Sequence, residues 1–382
     1  MQSNPLTPVT ERFPPLAGDL RTEVLVVGGG VAGIASAYHL AKAGFEVAVI
    51  EGDELGSGAT GASSGILYYG SGTTLEAANG LFGPQRAHLL WHESRDAIDG
   101  LVRLAQRLSI PCGLRLTEAI VVASDESGLA FLERERAALA RIGFDGRALS
   151  STEVGRSFPL APFRGGLLQS PVHQIYPGLF AAGLARAEGL RLYEGTPLVD
   201  HRAENGAIMA STPRGAVRCR HLLVCTNLRP LYGLEAHFAE ESSTILASEP
   251  LPEAKWRAVF PDDRILWTTE EEYDILYARE GRLVLEVYRL KGFKEKFARY
   301  FPGIAGVGTA RWGDSWSKAG DRLPIVGTVA PGVHVAVAMG DQGIVMGFAA
   351  GRRAPKVIRG EPDPFLELVS PARFQSGGRA RV

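Results

Sequence analysis

At 382 residues the chain is long enough for about two domains. It is 45% hydrophobic and 22% charged with a net charge of −1, an ordinary globular balance that offers no basic surface to a nucleic acid. No apolar run approaches the ~20 residues needed to cross a bilayer, and the start MQSNPLTPVTERFPPL lacks the basic and greasy regions of a signal peptide, so a cytoplasmic location is expected.

Residues 1–20 are rich in proline and read as a tail or strap. The next stretch, EVLVVGGGVAGIASAYHLAKAGFEVAVIEG, carries the first chemistry. Val24 to Val27 suits a strand buried on both faces, and Val31 to Ala43 an apolar helix ended by Gly44. Phe45 to Ile50 reads as a second strand followed at once by Glu51. Gly28, Gly30 and Gly33 form G-x-G-x-x-G between strand and helix. The first glycine permits the tight turn, the second lets backbone approach a pyrophosphate, and the third lets helix and strand pack closely. The helix N-terminus offers free N–H groups to the phosphates, and Glu51 stands where a carboxylate accepts from a ribose 2′-OH. An acid there disfavours a 2′-phosphate and so NADP.

Gly56 to Leu67, GSGATGASSGIL, is made of small residues that let a ligand lie close, with hydroxyls at Ser57, Thr60, Ser63 and Ser64. The alternative reading of this stretch is a flexible linker. Pro84 to Leu108 and Phe131 to Ile142 are expected amphipathic helices, with His88, Trp91 and His92 packing on the first. From Leu190 the pattern suits a β-meander that rejoins the first sheet at His221–Thr226. DILYAREGRLVLEVYRL reads as a hairpin with Glu280 and Gly281 in its turn. The closing segment repeats strand, glycine turn and helix: AMGDQGIVMG, Ala338 to Gly347, would aim a helix N-terminus at a bound ring, with Asp341 either facing that ring or capping the helix. Cys112, Cys219 and Cys225 form no C-x-x-C, so neither disulfides nor a metal site is expected.

The expected division is a tail at 1–20, a discontinuous dinucleotide-binding domain at 21–80, 146–230 and 321–362, a substrate domain at 81–145 and 231–320, and a tail at 363–382. One phosphate loop alone would serve a diffusible nicotinamide. Two further small-residue segments point to a cofactor buried along its length, as a flavin is.

In their order, VVGGGVAGIASAYHLAKAG, GATGASSGIL, IYPGLFAAGLARA, EGTPL, HLLVCTN, RWGDSWSKAGDRLPIVG, AMGDQGI and FLELVSPARF resemble the D-amino-acid-oxidase (DAO) superfamily of FAD-dependent amine and amino-acid oxidoreductases. Within it, the chain is similar to glycine and sarcosine oxidases and γ-glutamylputrescine-oxidase-like members. The resemblance implies an α/β fold: an FAD-binding Rossmann-like domain of glutathione-reductase type with a discontinuous α+β substrate domain on an antiparallel sheet. It implies non-covalent FAD held by Gly28, Gly30, Val31, Ala32, Gly33, Glu51 and Gly52 at the ADP half. Ala59, Thr60, Ser63, Ser64, Gly65 and Ile66 would line the phosphates and ring, with Leu198, Thr226 and Asn227 near the nucleotide. Gly340, Asp341, Gln342, Gly343 and Ile344 would face the pyrimidine edge.

The implied reaction moves a hydride from a C–H beside nitrogen to the flavin, with O2 or another acceptor taking the electrons. No side chain is named as catalytic. Where simple amino-acid oxidases carry a carboxylate-clamping arginine, this chain has Trp316, whose flat face suits an alkyl or cationic amine. Arg279, Arg289, Arg311 and Lys318 remain as anion-contact candidates, and Asp314 stands where covalent relatives attach flavin through cysteine. The implied partner is a small amine or amino acid, with homo- or hetero-oligomers both open. Three rival readings stay open: an FAD-dependent 2-hydroxy-acid dehydrogenase of the same fold, an NAD-dependent dehydrogenase, and a non-catalytic FAD-binding subunit.

Overall fold

A computed structural model describes residues 12–70, 72–159, 163–227, 234–269, 273–288, 292–304 and 309–374. At its centre lies the strand Val24–Val27. Val47–Ile50 and Arg191–Tyr193 extend the sheet in parallel on one side, His221–Val224 and Val333–Val337 on the other, and Ile325–Ala330 closes that edge antiparallel. The central strand is apolar throughout because each face has its own partner. Val24 and Val26 pack into the helical layer, while Leu25 and Val27 pack with Ile208, Ala210 and Val217. Those last three belong to a small sheet in which Asp200–Glu204, Ala207–Thr212 and Gly215–Cys219 form the expected meander.

The opening helix Val31–Lys42 ends where expected, with Gly44 at φ +90° just beyond it. It crosses the closing helix Gly343–Arg359 at close range. A Cβ at Gly351 would lie 2.5 Å from Ala35 Cβ, and one at Gly347 would lie 3.0 Å from Val31 Cγ1. Glycine at those two positions brings the helix N-termini to the same crevice, at the carboxyl ends of the parallel strands.

The second layer is a nine-stranded sheet in the order Thr309–Ala319, Phe238–Ser248, Arg282–Val287, Ile275–Arg279, Ile265–Thr268, Arg115–Ala123, Gly165–Gln174 and Ile66–Leu67, with Gly146–Ser150 also on Gly165–Gln174. Its pairs are antiparallel except Ile265–Thr268 with Arg115–Ala123. Alternate residues face opposite sides. Leu246, Leu276, Leu283 and Leu285 fill a core with Phe158, Phe260 and Phe301. Ile245, Trp267, Tyr277, Val284 and Trp312 face the dinucleotide unit, where Ala62, Ile66 and Tyr68 pack on them.

Three stretches differ from the sequence division. Gly146–Ser150 and Gly165–Gln174, expected with the dinucleotide unit, pair in the nine-stranded sheet, as does Ile66–Leu67. Within the expected tail at 363–382, the described residues form the helix Pro364–Val369 and a turn at Pro371–Phe374. Asp363 caps that helix through the N–H groups of Phe365 and Leu366, and Phe365 and Val369 are buried. At the other end, residues from 12 onward act as a strap: Phe13 N–H donates to Glu194 and Leu16 N–H to Thr196. The second expected amphipathic helix begins earlier than its apolar pattern indicates, at Glu126, because Asp125 caps Gly128.

Candidate active site

The glycine turn has the geometry its chemistry requires. Gly28 lies at φ +113°, and a Cβ there would sit 2.5 Å from the Cys225 carbonyl oxygen. A Cβ at Gly33 would sit 1.9 Å from the Gly28 carbonyl oxygen, so helix and strand meet only because both positions lack side chains. Gly30 is the N-cap of the opening helix; no side chain caps it from that position, and its first turn carries no acid. Glu51 reaches back over the turn and accepts from Gly29 N–H at 2.6 Å and Asp53 N–H at 2.9 Å. Thr226, directly beyond the strand His221–Val224, has a buried hydroxyl with no hydrogen-bond partner among the described residues. A cradle that a Cβ would fill, a helix N-terminus whose N-cap glycine brings no capping side chain, and an orphaned hydroxyl together fit the ADP half of a dinucleotide. Gly52 lies against Pro197, and Leu198 packs partly buried beside the small meander sheet.

The serine-rich stretch is clamped rather than loose. Thr60, in the short helix Ala59–Ala62, accepts from Val31 N–H at 3.0 Å. Gly65 lies at φ +71°, and a Cβ there would meet the Ile175 carbonyl oxygen at 2.1 Å. Ser63 Oγ accepts from Gly65 N–H, and the Ser64 carbonyl accepts from Gln174 Nε2 at 3.1 Å. Ile66 pairs with Gln174 as the first residue of its strand. The flexible-linker reading of this stretch is therefore set aside.

Across the crevice, Ala338 and Gly340 take φ +54° and +67° to turn the chain into the closing helix. Ser317 holds that turn, its Oγ accepting from Ala338 N–H and its carbonyl from Gly340 N–H. Gln342 is the N-cap without a side-chain cap, so Gly343 and Ile344 begin the helix with open N–H groups. Asp341 does not cap the helix. Its Oδ1 accepts from Trp316 Nε1 at 3.1 Å, its Oδ2 lies 3.7 Å from Lys318 Nζ, and Gly72 packs against it. Burial raises its pKa, opposed by the Lys318 charge. Asn227 is committed to the neighbouring strand, donating to Ser315 O and accepting from Ser317 N–H, each at 3.0 Å.

The floor between the two walls is the nine-stranded sheet. Trp312 donates to the Ala62 carbonyl at 3.0 Å. Trp316 meets Tyr288 edge-on at 5.9 Å, and Tyr288 and Tyr273 share a 2.8 Å hydroxyl contact. The cationic candidates among the described residues are otherwise engaged. Lys318 bonds Glu241 at 2.8 Å, and Arg279 donates to the Ile175 carbonyl while stacking on Tyr176. Arg311 is exposed and stacks on Phe293. Arg289 lies outside the described residues, as does the side chain of Asp314.

Sequence reasoning passed over Glu286, which is 7% exposed on the same floor, with Ser243 Oγ donating to its Oε1 at 2.8 Å. An acid inside the apolar run LVLEV was the available signal. No group of three or more His, Cys, Asp or Glu among the described residues is arranged to hold a metal, and no helix among them is long and apolar enough to cross a membrane.

Comparison with known proteins agrees with this geometry. The chain is 25% identical to γ-glutamylputrescine oxidoreductase of Escherichia coli, over 96% of this chain and 91% of that protein. It is 26% identical to a glycine oxidase of Bacillus licheniformis, over 90% and 94%. Among solved structures, glycine oxidase of Bacillus cereus superposes with a TM-score of 0.75 at 17% identity, covering 90% of this chain and 97% of that one. The family described as "DAO: FAD dependent oxidoreductase" matches residues 23–354, so the chain belongs to the DAO family and FAD is its cofactor.

Proposed function

We propose that this chain oxidises the C–N bond of an amine: a secondary amine, a polyamine derivative or a modified amino acid. The observation that carries this reading is the charge of the floor. The position expected to hold a carboxylate clamp is Trp316, and Arg279, Arg311 and Lys318 are each occupied elsewhere. Two acids stand near the aromatic rings instead: Glu286, which is buried, and Asp341, whose side chain is 5% exposed and lies 3.7 Å from Lys318. Such a surface favours a cation over a carboxylate. The names of the Escherichia coli and Bacillus relatives, γ-glutamylputrescine oxidoreductase and glycine oxidase, support a substrate that carries an amino nitrogen.

The glycine turn, Glu51 and the N-terminus of the opening helix would hold the ADP half of FAD. The segments from Ala59 to Ile66 and from Gly340 to Ile344 would flank its ring. FAD, when bound, supplies the acceptor for a hydride from the C–H beside nitrogen, which leaves an imine for water to hydrolyse. The protein's share is orientation and a dry floor. Asp341 at the mouth of the closing helix opposes negative charge nearby, which favours an acceptor other than O2.

Turnover of an amine panel, followed by peroxide detection in air and again with a dye acceptor, tests this. Dye reduction by amines is the expected result. Turnover of 2-hydroxy acids but of no amine would overturn it.

A further inference from the structure

Glu286 is a buried acid whose second carboxylate oxygen the described residues leave unmet. It lies on the strand Arg282–Val287, opposite Ile245 on one neighbouring strand and Ile275 on the other. Its neighbours Leu283, Leu285 and Val287 point away into an aliphatic core. Its own face is the one on which the serine-rich segment packs. Ser243 Oγ donates to Oε1, the Ser64 side chain is a second and weaker hydrogen-bonding neighbour of the carboxylate, and Oε2 is buried with no partner at hydrogen-bond distance among the described residues. An unmet buried carboxylate oxygen destabilises a fold, so its retention calls for a ligand that satisfies it.

Building on the amine reading above, we propose that Glu286 Oε2 binds the substrate ammonium and takes its proton. The N–H bond breaks, the proton passes to Oε2, and the electron pair stays on nitrogen. A cation and a carboxylate become a neutral amine and a carboxylic acid, and only the neutral amine has the lone pair that oxidation at the adjacent carbon requires. The substrate class is an amine that arrives protonated and has no carboxylate on the reacting carbon.

The other titratable groups facing Glu286 are unsuited to this. Tyr273, Tyr277 and Tyr288 are pushed by burial well above the ordinary phenol range. Asp341 is already engaged by Trp316 and Lys318, with Glu241 behind the lysine. Burial also raises the Glu286 pKa, which moves it toward the range where a base works at neutral pH.

The test is anaerobic flavin reduction in the FAD-loaded protein, using sarcosine, N-methylbutylamine, benzylamine and spermidine as probes across pH 5–10. In the wild type, the second-order rate constant should rise with one protein ionisation whose midpoint is the same for every amine. Glu286→Gln should lose about 100-fold at pH 7 and recover as pH approaches the amine's own pKa of about 10. Glu286→Asp should restore part of the neutral-pH rate. A wild-type midpoint that tracks each amine's pKa would overturn the assignment without any variant. So would a Glu286→Gln protein with the wild-type profile, or one slowed equally at every pH. Those outcomes leave amine oxidation standing, whereas a wild type reduced by no amine removes both conclusions.

Discussion

Trp312 and Trp316 stand four residues apart on one face of one strand, and each donates its indole N–H to a different wall of the crevice: Trp312 to the Ala62 carbonyl, Trp316 to Asp341 Oδ1. At about 3.3 Å per residue the strand sets those walls roughly 13 Å apart. The two indoles should therefore fail differently. Trp312→Phe loosens the serine-rich wall and should weaken FAD binding about 5-fold, the worth of one neutral hydrogen bond. Trp316→Phe should leave FAD binding intact and lower kcat/KM for cationic amines roughly 10-fold or more, since its bond is to a charged group. Fluorescence titration and steady-state kinetics on both variants check this, and a reversed pattern contradicts it.

Steric room separates essential glycines from incidental ones. Gly33→Ala would place a Cβ 1.9 Å from a carbonyl oxygen, so a loss of about 3 kcal/mol and of bound flavin is expected. Gly189→Ala meets nothing within 4 Å and bears only the strain of φ +58°, about 1–2 kcal/mol. Its flavin content should stay at the wild-type level. Thermal unfolding and flavin stoichiometry measure both.

The orphaned hydroxyl of Thr226 gives a test in which two readouts move oppositely. Thr226→Val removes an unmet buried polar group, so the apoprotein should be at least as stable as wild type. If the hydroxyl serves the nucleotide, FAD affinity should fall by about 5- to 10-fold in the same variant. Equal affinity would mean that the hydroxyl faces no part of the cofactor.

Local patterns made much of this legible. Glu280 and Gly281 take φ +51° and +72° in the hairpin turn that the EG pair announced. The opening glycine unit and the meander likewise carry their signals within a few residues. The pairing of Gly165–Gln174 with Arg115–Ala123 and Ile66–Leu67 joins distant segments and leaves no local trace. Pro364–Val369 is too short for a periodic pattern, and its order comes from the Asp363 cap and two buried side chains. Within the site, single motifs identified the walls, but the floor was hidden. Ser243, Tyr273, Glu286, Tyr288 and Trp312 come from four separate segments and become neighbours only through sheet register.

The raised pKa of Glu286 has a defined sign in stability. Its folded value lies above the ordinary 4.5, chiefly through burial. Between those two values the folded state binds more proton than the unfolded state, so ionisation of this group costs stability as pH rises. Glu286→Gln apoprotein should melt higher than wild type at pH 7.5, with the gap closing as pH falls below about 4.5. Melting curves from pH 4 to 8 decide it, and a variant that is less stable at pH 7.5 contradicts the expectation.

The most direct measurement is the absorbance of the bound flavin in the purified protein, mixed without oxygen with amines and, separately, with 2-hydroxy acids. Bleaching by at least one secondary amine or polyamine derivative, with none by the hydroxy acids, is the predicted result. Flavin that bleaches only with hydroxy acids, or stays oxidised with every amine, would contradict oxidation at a C–N bond.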